Sequence, residues 1–153
     1  MSRHLRYLLF VLLLLGCDPN ITVHDQVRAG ELVVDFLSSL DSQEGVRLAY
    51  EWTDDRFKQD MTFEEFVRWI AFVRERNAGA DVHLVAFEVF GSVDRINVYA
   101  HSVGKLDKLY FRFGLVGNKV RDYYLLELRI DEAEQRQDGI YRKYEQPVVV
   151  PDV

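Results

Sequence analysis

Apolar positions change their spacing once along this chain, and that change divides it into two halves. From Val23 the pattern is helical. Val33, Phe36, Leu37 and Leu40 recur at offsets 0, 3, 4 and 7, behind a Thr22–Asp25 pair spaced like a capping box. Asp41 and Glu44 repeat that spacing ahead of Val46, Ala49 and Tyr50, which predicts a short second helix. Residues 53–61 are polar and read as irregular. Thr62 and Glu65 then open the clearest helix, with Phe63, Phe66, Val67, Ile70 and Val73 in one stripe and Asn77-Ala78-Gly79 as its stop.

From Val82 the period becomes two. Four strands are predicted, over 82–90, 95–103, 108–116 and 119–130, with turns at Gly91–Asp94, Gly104–Asp107 and Gly117-Asn118. Pairing Phe90 with Arg95, Val103 with Lys108 and Val116 with Lys119 sets a register. It places Val85, Phe87 and Val89 beside Ala100, Val98 and Ile96, and these beside Phe111, Phe113 and Leu115. Val120, Tyr124, Leu126 and Leu128 extend that apolar face, and Lys108 falls opposite Glu127 on the other. Tyr99, Tyr110, Arg112 and Tyr123 share the outer face, a residue mix favoured at protein interfaces, and form the expected partner surface. The expected fold is α+β: N-terminal helices packed on a four-stranded antiparallel meander. Residues 131–153 open polar and end Pro147-Val-Val-Val-Pro151, and are expected to form a partly ordered tail.

Composition changes this picture little. The 153 residues are 48% hydrophobic and 29% charged, which suits a single globular domain and excludes a disordered chain. A net charge of −6 argues against nucleic acid as a partner. The single cysteine leaves no internal disulfide and no thiol pair for zinc or redox chemistry.

That cysteine sits where it carries most information. Arg3 and Arg6 precede an uninterrupted apolar run from Tyr7 to Leu15, followed by Gly16 and Cys17. As a helix this run covers about 14 Å, too short for roughly 30 Å of hydrocarbon, and its flanks are those of a secretory leader. Leu14-Leu15-Gly16-Cys17 resembles the lipobox of bacterial lipoproteins. The resemblance implies removal of residues 1–16, acyl chains on Cys17, and anchorage to a bacterial cell membrane facing the periplasm or exterior. Asp18 resembles the signal that retains enterobacterial lipoproteins in the inner membrane, which favours that membrane over the outer one. Removing residues 1–16 takes away two arginines and no acid, so the charge becomes −8. Attachment to an anionic lipid surface must then come from the acyl chains. Residues 17–21 are the lipidated end and a short linker, and 22–130 form the domain.

The order of elements, and especially the segment Leu48–Arg76, resembles the cystatin-like folds. Within them it is most similar to nuclear-transport-factor-2-like domains of small bacterial lipoproteins. Enzymes of that fold carry acids inside the cone between sheet and helices. Here Asp122 is the candidate: on the predicted apolar face, beside Phe113, its pKa would be raised toward general acid–base use; the preferred reading is that it sits at the sheet rim, beyond the Gly117-Asn118 turn, and reaches water. No second catalytic group is placed beside it. His83 falls on the apolar face, His101 on the other and His24 in the first helical turn, so no metal site is expected. Asp54, Asp55 and Asp60 lack the spaced oxygens of a calcium loop. The stripe of the third helix, flanked by Trp69 and Phe72, reads as core. With no nucleophile–base pair, phosphate loop or cofactor motif, the expectation is a non-enzymatic binding or accessory module acting on an envelope protein or cell-wall component. A small-molecule or catalytic pocket at Asp122 is the alternative.

Overall fold

A computed structural model describes residues 24–77, 79–91, 93–103, 108–118 and 120–151; Cys17 and Asp18 lie outside these described residues. The architecture is α+β, with helices first and then an antiparallel sheet. Helix α1 spans Gln26–Ser39 and buries Val33, Phe36 and Leu37 as the spacing predicts. Its cap is Asp25, whose side chain accepts from the Arg28 N–H at 3.0 Å. Helix α2, Gln43–Glu51, is capped by Ser42 accepting from the Gly45 N–H, not by Asp41. Asp41 instead meets Arg74 at 3.3 Å. Gly45 allows the tight α1–α2 turn, since a Cβ there would lie 1.7 Å from the Ser39 carbonyl oxygen.

Part of the stretch expected to be irregular is helical: α3 spans Asp55–Asp60, capped by Asp54 and pinned by buried Phe57. Helix α4, Phe63–Asn77, begins with the predicted capping box. The Thr62 N–H donates to the Glu65 carboxylate at 2.8 Å, and the Glu65 N–H donates back to the Thr62 hydroxyl at 3.3 Å. Phe66, Ile70 and Val73 are buried, whereas Phe63 and Val67 stay exposed.

The strands are β1 Val82–Val89, β2 Arg95–Val103, β3 Lys108–Val116, β4 Tyr124–Asp131 and β5 Ile140–Val150. Their order is β4-β3-β2-β1-β5, so the sheet has five strands where four are predicted. The extra one comes from the expected tail. It pairs antiparallel with β1 and forms an edge, where Pro147 removes no ladder bond that the sheet requires.

Register follows expectation between β2 and β3, and near the first turn, where Phe87 faces Val98 and Val89 faces Ile96. It departs in two places. A bulge between Leu84 and Ala86 seats Leu84, not Val85, opposite Ala100 and turns His83 to the outer face, directly opposite His101. In the β3–β4 connection Val116 pairs with Tyr124 instead of Lys119, and Glu127 lies opposite Gly114 instead of Lys108. A two-residue hairpin would drive Asp122 into the core and turn Tyr123 out. The longer loop reverses both: Tyr123 and Leu125 are buried, and Val120 and Tyr124 are exposed. Tyr123 is locked on the helical side, its hydroxyl accepting from the Asp25 N–H and its carbonyl from the Trp52 indole, both at 2.8 Å.

The helices cover one face of the sheet. Phe36 lies 6.1 Å from Phe113, 6.2 Å from Phe66 and 5.7 Å from Trp52, ring centre to ring centre, and Phe57 meets Phe66 at 6.1 Å. Aromatic side chains therefore pack much of the layer between helices and sheet. None of the described helices is long and apolar enough to cross a membrane.

Candidate functional site

The four residues expected to form an exposed partner surface do not form one. Tyr99 and Arg112 are buried on the outer face, Tyr110 is half-buried, and Tyr123 lies under the helices. What covers the outer face is the β4–β5 connection. Arg112 donates to the Gln135 carbonyl at 3.2 Å and to the Glu127 carboxylate at 3.3 Å. Arg95 meets Glu127 at 2.5 Å, and Arg129 donates to it as well.

Beside this cluster stands Glu88, 0% exposed. It accepts from the Tyr99 hydroxyl at 2.5 Å, the Asn97 amide at 3.2 Å and the backbone N–H groups of Gln137 at 3.1 Å and Gly139 at 2.9 Å. Gly139 is required by the close approach, because a Cβ there would sit 2.6 Å from Glu88 Cγ. Burial pushes the Glu88 carboxyl up, but donation by Tyr99, Gly139, Asn97 and Gln137 outweighs it and holds the group below the ordinary glutamate range. Burial and the bond to Glu88 push the Tyr99 hydroxyl up. A sealed, fully bonded carboxylate of this kind fastens a strap; it is not poised to take a proton from a substrate. Pairing Glu88 with Asn97 is legible from the first hairpin. The strap that buries them is not, because the polar stretch 132–139 has no period.

Asp122 takes the rim position that reaches water, not the apolar-face one. Its side chain is 51% exposed and receives two bonds from Arg28, at 3.0 and 3.3 Å. The Arg28 guanidinium holds its carboxyl below the usual aspartate range, against a smaller opposing effect of burial, so the rise that an apolar-face position implies does not occur. The depression around it, of about 210 Å³, is lined by Asp25, Arg28, Asn118 and Arg121.

The bulge in β1 brings together two histidines expected on opposite faces. His83 and His101 stack with ring centres 5.6 Å apart, and Tyr110 lies 6.3 Å from His101. Burial, then Lys108 and His83, lower the His101 pKa. No group of three metal-ligating side chains occurs among the described residues.

Another concavity is on the helical side. A groove of about 860 Å³ runs between α2 and α4, with Val46, Val67, Ile70 and Ala71 among its apolar lining residues. Charges of both signs flank it. Arg47 is held by Glu44 and Glu51 on α2, while Arg74 reaches the Leu40 carbonyl and Asp41. The α4 stripe, expected as core, is only partly buried. Its 3.6-residue drift leaves Phe63 and Val67 at the stripe's edge, facing this groove.

Comparison with protein-family profiles, curated proteins and solved structures finds no match to this chain.

Proposed function

We propose that this chain is a bacterial envelope lipoprotein, anchored through acyl chains on Cys17, whose domain is a non-enzymatic binding or accessory module. The lipobox order of charge, apolar run and Leu14-Leu15-Gly16-Cys17 supports the anchor. Helices followed by an antiparallel sheet support kinship of form with the cystatin-like, nuclear-transport-factor-2-like domains. Asp18 supports retention in the inner membrane, so Asp18→Ser is expected to shift the protein toward the outer membrane.

The observation that carries the module reading is the α2–α4 groove. Its apolar floor fits the apolar stripe of an amphipathic segment of another envelope protein, and its mixed-charge rim fits that segment's polar flanks. A catalytic reading at Asp122 has less support, since its carboxylate is solvated and ion-paired to Arg28.

The test is photo-crosslinking in intact cells from Phe63 and Val67, with Val149 as a distant control. A single adduct shared by the two groove positions and missing from Val149 is expected. Absence of that adduct, with turnover of a small substrate that Asp122→Asn abolishes, overturns the reading. Anchorage is tested separately: Cys17→Ser should leave an unprocessed precursor, and an unmodified soluble mature chain would refute it.

A further inference from the structure

We infer that the hairpin end of the sheet, where Val93 and Val120 project, lies against the lipid bilayer that holds the anchor. This rests on the lipidation of Cys17 proposed above. The described chain begins at His24, and His24 is already fixed in place. Its ring bonds the Val93 carbonyl at 3.3 Å and stacks on Tyr123 at 6.2 Å, while the next residue, Asp25, donates to the Tyr123 hydroxyl. The chain therefore leaves the domain beside the β1–β2 and β3–β4 turns. Those turns are joined to each other through the Gly117 N–H donating to the Asp94 carbonyl at 2.9 Å.

Reach then decides which surface meets the membrane. From Cys17 to His24 a fully extended chain covers at most about 25 Å. Strand β2, with 9 residues, is about 30 Å long at roughly 3.4 Å per residue. A tether starting at the hairpin end cannot bring the opposite end, with Val103, Val148 and Val149, down to the headgroups. Both ends expose aliphatic side chains, and only one of them is within reach of the anchor.

The reachable end has the chemistry of an interfacial contact. Val120 is 93% exposed at the tip of its loop, and Val93 is 47% exposed beside it. Ile140 at the start of β5 and Val27 in the first turn of α1 are exposed at the same end. Asn118 Oδ1 accepts from the N–H groups of Val120 at 2.9 Å and Arg121 at 3.0 Å. Among the acids at this end, Asp122 is ion-paired with Arg28. Arg121 can extend to phosphate headgroups while its stem stays in the interface. The contact adds to the acyl anchor and sets the domain's orientation, so the strap-covered outer face and the α2–α4 groove stand upright over the membrane.

Because Cys17 carries the only native thiol, and that thiol is consumed by lipidation, single cysteines can be introduced into the full chain and labelled selectively. Val93→Cys, Val120→Cys and, at the far end, Val103→Cys are purified in lipidated form. Each is labelled with an environment-sensitive fluorophore and reconstituted into phosphatidylethanolamine–phosphatidylglycerol vesicles containing nitroxide-labelled acyl chains. The expected result is a blue shift and strong quenching at 93 and 120, with neither at 103. Equal exposure to water at all three positions, in protein that co-sediments with vesicles and carries the lipid mass, overturns the orientation and leaves anchorage standing. A chain whose Cys17 remains labelled and unacylated overturns both.

Discussion

Replacing Glu88 with glutamine should detach the strap over the outer face of the sheet. The two carboxylate oxygens divide their donors: Oε2 takes Tyr99 and Asn97, and Oε1 takes Gly139, with Gln137 bridging both. An amide keeps the shape but supplies only one oxygen. Whichever way it is turned, its NH₂ meets two groups that also donate. Charge-assisted bonds are worth about 1.5–3 kcal/mol each against about 1 kcal/mol for neutral ones, and an orphaned buried donor costs about 1–3 kcal/mol. Allowing for local adjustment, Glu88→Gln should lower stability by about 3 kcal/mol, a large share of the roughly 5–15 kcal/mol that a domain possesses. Urea denaturation measures the total. Hydrogen exchange at the Gln137 and Gly139 amides localises it, with acceleration of roughly 100-fold expected there and little at the β2–β3 ladder.

The pH dependence supplies a sign. Because the folded Glu88 pKa lies below its unfolded value of about 4.3, its stabilisation is complete above that value and is lost as pH falls through the folded pKa. The gap between wild type and Glu88→Gln should therefore narrow in acid. A difference under about 0.5 kcal/mol at neutral pH, with unchanged exchange at Gly139, would refute the assignment of Glu88 as the fastener.

Three further outcomes follow from packing and backbone. Phe66→Ala removes a fully buried ring in contact with Phe36, Tyr50 and Phe57, and should cost about 3–5 kcal/mol in thermal or urea unfolding. Gly117→Ala places a Cβ 2.6 Å from the Asp122 carbonyl at a φ of +146°, so destabilisation of about 2 kcal/mol or more is expected, read by the unfolding midpoint. In NMR titration His101 should titrate below the ordinary histidine value of about 6.5, and Lys108→Ala should move it upward; its folded-state stabilisation is lost as pH falls.

Local information carries much of this fold. Helical stripes, the Thr62–Glu65 box and the β2–β3 register depend on residues close in sequence, and they appear where the spacing puts them. The leader and lipobox proposed above rest on the same kind of local pattern, the linear order of Arg3, Arg6, apolar run and Cys17. Other features needed the assembled sheet. The bulge at Val85 shifts the register of β1 against both β2 and β5, and it sets His83 beside His101. The longer β3–β4 loop turns Tyr123 inward, where its hydroxyl has its partner 98 residues away at Asp25, and leaves Asp122 in solvent. Strand β5 carries too many polar residues to announce itself, because an edge strand with one solvated face needs little apolar surface; only the free edge of β1 recruits it. Tyr99 and Arg112 alternate outward just as the period of two requires. Whether outward means exposed was decided by the strap that Glu88 draws across them, a contact between segments about 50 residues apart with no local trace.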